Sequence, residues 1–167
     1  MNGYSLNDLT FTMMAHDKGH PKLIQHFLKV HAFARLIGEG EKLDEKLLFT
    51  LETACIVHDI GILPAKAKHG SGSGKFQEME GPAEAKEMLE HLGWPADVTE
   101  RVLYLVGHHH TYTDIDGADY QIMVEADFLV NLLENQSEPE AQKTAYQKIF
   151  RTETGKKIFA LQFPEAL

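Results

Sequence analysis

A histidine and an aspartate stand side by side, His58-Asp59, at the close of the apolar run Leu47-Leu48-Phe49-Thr50-Leu51-Glu52-Thr53-Ala54-Cys55-Ile56-Val57, with Gly61 and Pro64 just beyond. A negative group is disfavoured at a helix C-terminus, so Asp59 asks for a compensating positive charge. An imidazole and a carboxylate together can bind a divalent cation, but a metal centre usually draws on three or more protein groups. The other donors are far off in the chain. His26 lies on an earlier helical pattern, His108-His109-His110 follow downstream, and Asp127 sits inside the apolar run Ile122-Met123-Val124-Glu125-Ala126-Asp127-Phe128-Leu129-Val130. A carboxylate placed there carries a large desolvation cost that a bound cation removes. The chain therefore has to bring several helices to one buried centre.

The rest of the sequence supplies those helices. Apolar residues at 6, 9, 11, 13 and 14 predict a short opening helix that Gly19-His20-Pro21 interrupts. Pro21 suits a first helical turn, and Leu23, Ile24, Phe27, Val30, Ala34 and Ile37 then recur at three- and four-residue steps until Gly38 and Gly40. Asp44 is placed to cap a third helix that runs to the His58-Asp59 corner. The stretch 64–81, with Gly70-Ser71-Gly72-Ser73-Gly74, reads as a mobile loop, and Pro82 as the start of a helix to about His91. Asp97-Val98-Thr99-Glu100 and Ser137-Glu138-Pro139-Glu140 have the spacing of capping boxes. Further helices are expected from Tyr120 to Glu134 and from about Gly155 to Phe163. Period-two alternation and internal repeats are absent, so the expected fold is all-α.

The order of a lone His, then His-Asp, then a distant Asp, all on helices, resembles the HD-domain superfamily of metal-dependent phosphohydrolases, over roughly residues 20 to 135. His26-Phe27-Leu28-Lys29-Val30-His31-Ala32-Phe33-Ala34 is similar to the family's first helix, His-x-x-x-Val-x-x-x-Ala, a pattern met from position 26 and not from His31. His58-Asp59-Ile60-Gly61 resembles the name-giving motif, and Glu125-Ala126-Asp127 the closing aspartate. Gly74 to Pro82 and Gly107 to Tyr112 look like a subfamily of small bacterial proteins. The resemblance implies a compact helical bundle with the metal site between helices, and a phosphohydrolase acting on a small phosphorylated metabolite or nucleotide. His26, His58, Asp59 and Asp127 would hold the ion, Asp59 would bridge or orient the attacking water, and His108 or His109 would stabilise phosphoryl oxygens or protonate the leaving group. A set of imidazoles and carboxylates suits Mn, Fe, Co, Ni or Zn better than Ca.

Two positions depart from the family pattern. Gln77 and Glu80 stand where a further histidine is usual, which leaves a second ion open, with Glu80, His108 and His109 as its candidate ligands. Ile62 occupies the place of a lysine that contacts phosphate in such proteins, and Lys75, after the glycine-serine run, is the replacement candidate, with Lys66 and Lys68 behind it. Two rival readings are a di-iron oxygenase on the same fold and a non-catalytic binding module with a structural cation.

Composition narrows the class further. With 167 residues a single domain over 1–167 is expected, its core motifs at about 20–135 and its C-terminal helices, 137–165, packed on them. A net charge of −9 without a basic stripe argues against a nucleic-acid polymer as partner. No apolar stretch near 20 residues and no basic leader is apparent, and the single cysteine, Cys55, reads as a buried structural thiol, so cytoplasmic residence without membrane association is expected. A homodimer is left open.

Overall fold

The computed structural model describes residues 4–167, and the described residues are helical with no strand. Nine α-helices follow one another: α1 (Leu6–His16), α2 (Pro21–Gly40), α3 (Glu45–Val57), α4 (Ile62–His69), α5 (Gly74–His91), α6 (Ala96–Val106), α7 (Ala118–Glu134), α8 (Pro139–Ile149) and α9 (Glu153–Gln162). A short 3-10 turn, Pro164–Ala166, ends the chain. Helices α2, α3 and α7 pack on one another at the centre, α1 and α6 lean on α3, and α8 and α9 cover α7.

The central helix α3 is buried on every side from Thr50 to Val57, the expected fate of a helix apolar all round. Its polar side chains are satisfied at short range. Thr50 and Thr53 donate to the Lys46 and Phe49 carbonyls, and Thr53 accepts from the Trp94 indole at 3.1 Å. Glu52 accepts from His31 at 2.9 Å, which places His31 on a structural ion pair. Asp44 caps α3 by accepting from the Leu47 N–H at 2.8 Å. Contrary to the expectation of no long apolar stretch, Glu45–His69 is long and apolar enough to cross a bilayer by length and composition, although most of it is buried inside the molecule. Cys55 is fully buried, and burial pushes its thiol pKa up.

Three local expectations need correction. The stretch 64–81 is not one mobile loop: α4 and the first turns of α5 fill it, leaving only 70–73 between helices. Pro82 therefore lies inside α5, where it forgoes one helical hydrogen bond. Tertiary contacts hold this segment. The Gln77 amide donates to the Gly72 carbonyl at 2.7 Å, and the Glu78 carboxylate accepts from the His110 N–H at 3.0 Å and the Thr111 hydroxyl at 2.9 Å. A Cβ on Gly61 would stand 2.6 Å from the Gln77 carbonyl oxygen, so the turn before α4 touches α5 backbone to backbone. The two capping boxes are also absent. Helix α6 begins after Pro95, with Asp97 paired to Lys46, and α8 begins after Glu138 without a side-chain cap.

Candidate metal centre

The corner between α3 and α4 is only His58 to Gly61 long, and it turns both motif side chains inward. The Ile60 and Ile62 N–H groups donate to the carbonyls of Val57 and Asp59, each at 3.0 Å, which fixes the corner. Opposite it, α2 presents His26 and α7 presents Asp127. Four donor atoms meet there. His26 Nε2 lies 3.3 Å from His58 Nε2, 3.2 Å from Asp59 Oδ2 and 3.1 Å from Asp127 Oδ1. His58 Nε2 lies 3.4 Å from Asp59 Oδ2 and 3.5 Å from Asp127 Oδ1. Ligands about 2.0–2.1 Å from one cation, at tetrahedral or octahedral angles, stand about 2.8–3.4 Å from one another. The observed spacing is close to that of a coordination shell.

The ring protons are committed elsewhere. His58 Nδ1 donates to the Cys55 carbonyl at 2.8 Å, and His26 Nδ1 to the Glu134 carboxylate at 2.9 Å. In neutral rings the facing Nε2 atoms therefore carry lone pairs, aimed at each other and at two carboxylates. Such a cluster calls for positive charge at its centre. Burial lowers the His58 pKa, but Asp59 and Asp127 overcome it and raise the imidazole to about 9. His26 is likewise raised against burial, through its bond to Asp127. Burial would lift Asp59 and Asp127, yet His58 and His109 depress the first, and His26 and His58 the second. A proton or a divalent cation can meet this demand, and the donor set of two imidazoles and two carboxylates fits a transition-metal ion.

A second cluster adjoins the first across Asp59. Asp59 Oδ1 lies 3.4 Å from His109 Nε2, and His109, His110 and Asp59 present donor atoms close enough to share an ion. His109 Nδ1 donates to the Val106 carbonyl at 2.7 Å, which again leaves Nε2 as the lone pair. The Gln77 side-chain oxygen stands 3.2 Å from His109 Nε2 and 2.9 Å from His110 Nε2. Burial, with His109 nearby, lowers His110 to about 4, keeping that ring neutral. The Tyr120 hydroxyl holds this turn by donating to the His108 and Thr111 carbonyls.

Not every expected residue joins these clusters. His108 stacks on Tyr104 with ring centroids 4.1 Å apart and donates Nδ1 to the Tyr104 carbonyl, so His110 and not His108 stands with His109. Consecutive side chains at a helix end diverge, and the sequence alone does not say which two of three face inward. Glu80 is engaged by Lys68 and by His69 at 2.9 Å, away from both clusters. Lys75 is exposed on the first turn of α5, outside the cavity lining. Three residues that sequence reasoning passed over are present instead. Asn131 donates to Asp127 Oδ1 at 2.9 Å, Glu134 holds His26, and Lys22 lines the cavity. Asn131 and Glu134 follow Asp127 at i+4 and i+7, a helical stripe that could have signalled them.

A cavity of about 210 Å³ opens over the first cluster, with His26, Asp59 and Asp127 in its wall and Gln77 and His110 beside them. Two larger surface hollows, about 350 Å³ beside His16 and His91 and about 460 Å³ beside Arg101, carry no comparable convergence of donors among the described residues.

No curated protein matches the chain. Among solved structures, a protein from an uncultured Thermotogales bacterium, named as a predicted HD superfamily hydrolase, is similar with a TM-score of 0.68 and 24% identity, over 95% of this chain and 85% of that one. At that identity the likeness bears on the fold alone. The HD domain family matches residues 23–151, a span that holds both clusters, and the chain belongs to the HD-domain family.

Proposed function

We propose that the protein is a metal-dependent phosphohydrolase acting on a small phosphorylated metabolite or nucleotide. The observation that carries this reading is the convergence of His26 Nε2, His58 Nε2, Asp59 Oδ2 and Asp127 Oδ1 within 3.1–3.5 Å, with both ring protons turned outward, beneath an open cavity. A divalent transition-metal ion bound there supplies a Lewis acid for a phosphoryl oxygen and makes hydroxide accessible near neutral pH. Mn, Fe, Co, Ni and Zn all suit the donors. The protein groups divide the remaining work. The Cys55 carbonyl and Glu134 fix the ring orientations of His58 and His26. Asp59 faces both clusters and can orient the attacking water between them. His109, once protonated at Nε2, would hold phosphoryl oxygens or pass that proton to the leaving oxygen, with His110 alongside.

The test is a panel of phosphate esters assayed with metal-replete protein, beside elemental analysis of His58→Ala and Asp127→Ala. Each variant should lose the bound ion and its turnover. Wild-type stoichiometry in both would remove these residues from the centre. The second cluster favours one rival reading, a di-iron oxygenase, against which Gln77 in place of a histidine counts. Two irons per chain, with a visible absorption band in the aerobic protein and no ester hydrolysis, would establish the rival.

A further inference from the structure

Three acids, Asp59, Asp127 and Glu134, stand in the wall of the cavity over the candidate metal cluster, against one lysine. Asp59 and Asp127 offset the two charges of a bound divalent ion, and Glu134 is already engaged by His26 and by Lys29, whose Nζ lies 2.7 Å away. A phosphate monoester entering this space needs a further positive charge. Lys22 also lines the cavity, from the first turn of α2, and is the lysine that does so among the described residues. It is exposed and, among the described residues, has no carboxylate within 4.0 Å, unlike Lys29, Lys46 and Lys68, which all hold ion pairs. The end of α2 that carries it adds to the effect. Its N-cap, His20, makes no side-chain cap bond, and the helix dipole places partial positive charge at this end.

We propose that Lys22 is the anion anchor of the site, its ammonium binding non-bridging oxygens of a phosphate monoester whose phosphoryl group sits over His26, Asp59 and Asp127. The inference rests on the phosphohydrolase reading and gives it a substrate class. A cavity of about 210 Å³ is below the range of about 300–1,000 Å³ in which pockets enclose a drug-sized ligand. It encloses the phosphoryl group and the first atoms of the ester, and the rest of the leaving group extends into solvent. Recognition is accordingly of the phosphate end, and the enzyme tolerates varied leaving groups.

The test uses the metal-replete full chain and two probes, inorganic phosphate by calorimetry and p-nitrophenyl phosphate by rate. Lys22→Gln should weaken phosphate binding about tenfold and raise KM by a similar factor, with kcat and metal content near the wild type. Lys22→Arg should stay within about twofold of wild type, because it keeps the charge. Lys143→Gln, the same charge change on exposed α8, should do nothing. Unchanged phosphate affinity and KM in Lys22→Gln overturns the proposal, as does a tenfold loss in Lys75→Gln with Lys22→Gln at wild-type values. Ester hydrolysis with the same KM in wild type and Lys22→Gln sinks the anchor and leaves the phosphohydrolase. Protein that binds phosphate through Lys22 and hydrolyses no ester does the reverse, and protein that neither binds phosphate nor hydrolyses esters overturns both.

Discussion

Glu134 binds His26 Nδ1 at 2.9 Å with one oxygen and Lys29 Nζ at 2.7 Å with the other, and this pairing sets where the His26 lone pair points. A carboxylate behind a metal-binding histidine fixes its tautomer and raises its basicity, and losing such a partner costs about 10–100-fold in metal affinity. Glu134→Ala should therefore weaken metal binding by that factor in a chelator competition, while Glu134→Gln, which can still accept the ring proton, should lose less. Equal affinity in wild type and Glu134→Ala would reduce Glu134 to a surface ion pair with Lys29. At this scale the sequence was legible where a residue type has few alternative uses. His58-Asp59 and a carboxylate in an apolar run announce a site on chemistry alone. It was not legible where direction decides. His108, His109 and His110 are identical in type, and Tyr120, Glu78 and Tyr104 sort them in space. Glu80 and Lys75 were plausible by position, but Lys68 and His69 occupy the first and the second faces solvent.

Helix α7 is buried along most of its length, and two of its acids, Asp127 and Glu125, serve different neighbours. Asp127 turns to the metal cluster, while Glu125, fully buried, receives the N-terminus of α9. Glu125 accepts from the Arg151 N–H at 2.7 Å, the Thr152 N–H at 3.0 Å, the Thr152 hydroxyl at 2.5 Å and the Gln121 amide at 2.8 Å. Thr152 in turn caps α9 by accepting from the Gly155 N–H at 3.0 Å. Removing the carboxylate leaves buried donors without partners, so Glu125→Ala should cost about 2–4 kcal/mol. The urea midpoint should fall at an unchanged slope, with metal content intact. A loss of stability under about 0.5 kcal/mol, the midpoint shift multiplied by the slope, would mean that water takes over the carboxylate's role. Gly155 belongs to the same joint, since a Cβ there would stand 1.9 Å from Glu125 Oε2. Elements with strong periodicity, α2, α3 and α7, could be read from the chain. Helix α5 could not, because local signals from the glycine-serine run and Pro82 oppose a helix that Gln77 and Glu78 hold through contacts distant in sequence.

For the molecule as a whole, the candidate metal cluster sits where α2, α3 and α7 meet, amid one continuous apolar cluster that reaches from Leu9 on α1 to Phe159 on α9. Absence of strand periodicity made the all-α class readable, while α4, the start of α5 and the packing order were not legible in apolar spacing. Because the ligands come from separate helices, a bound cation ties those helices together. An ion present at a hundred times its Kd stabilises the folded state by about 2.7 kcal/mol, and each kcal/mol is about 2–4 °C for a chain of this size. Chelation should lower the melting temperature by about 5–10 °C, restored by readding the metal. A melting temperature indifferent to chelator and metal would show that the helices are held without it. Asp59 gives this arrangement one more property. Its Oδ2 faces His26 and His58 while its Oδ1 faces His109, so the two clusters are not separate compartments but two ends of one anion. A charge at either end polarises the carboxylate and fixes its rotation for the other. The clusters thus share a single side chain, and a substitution at Asp59 would reach both at once.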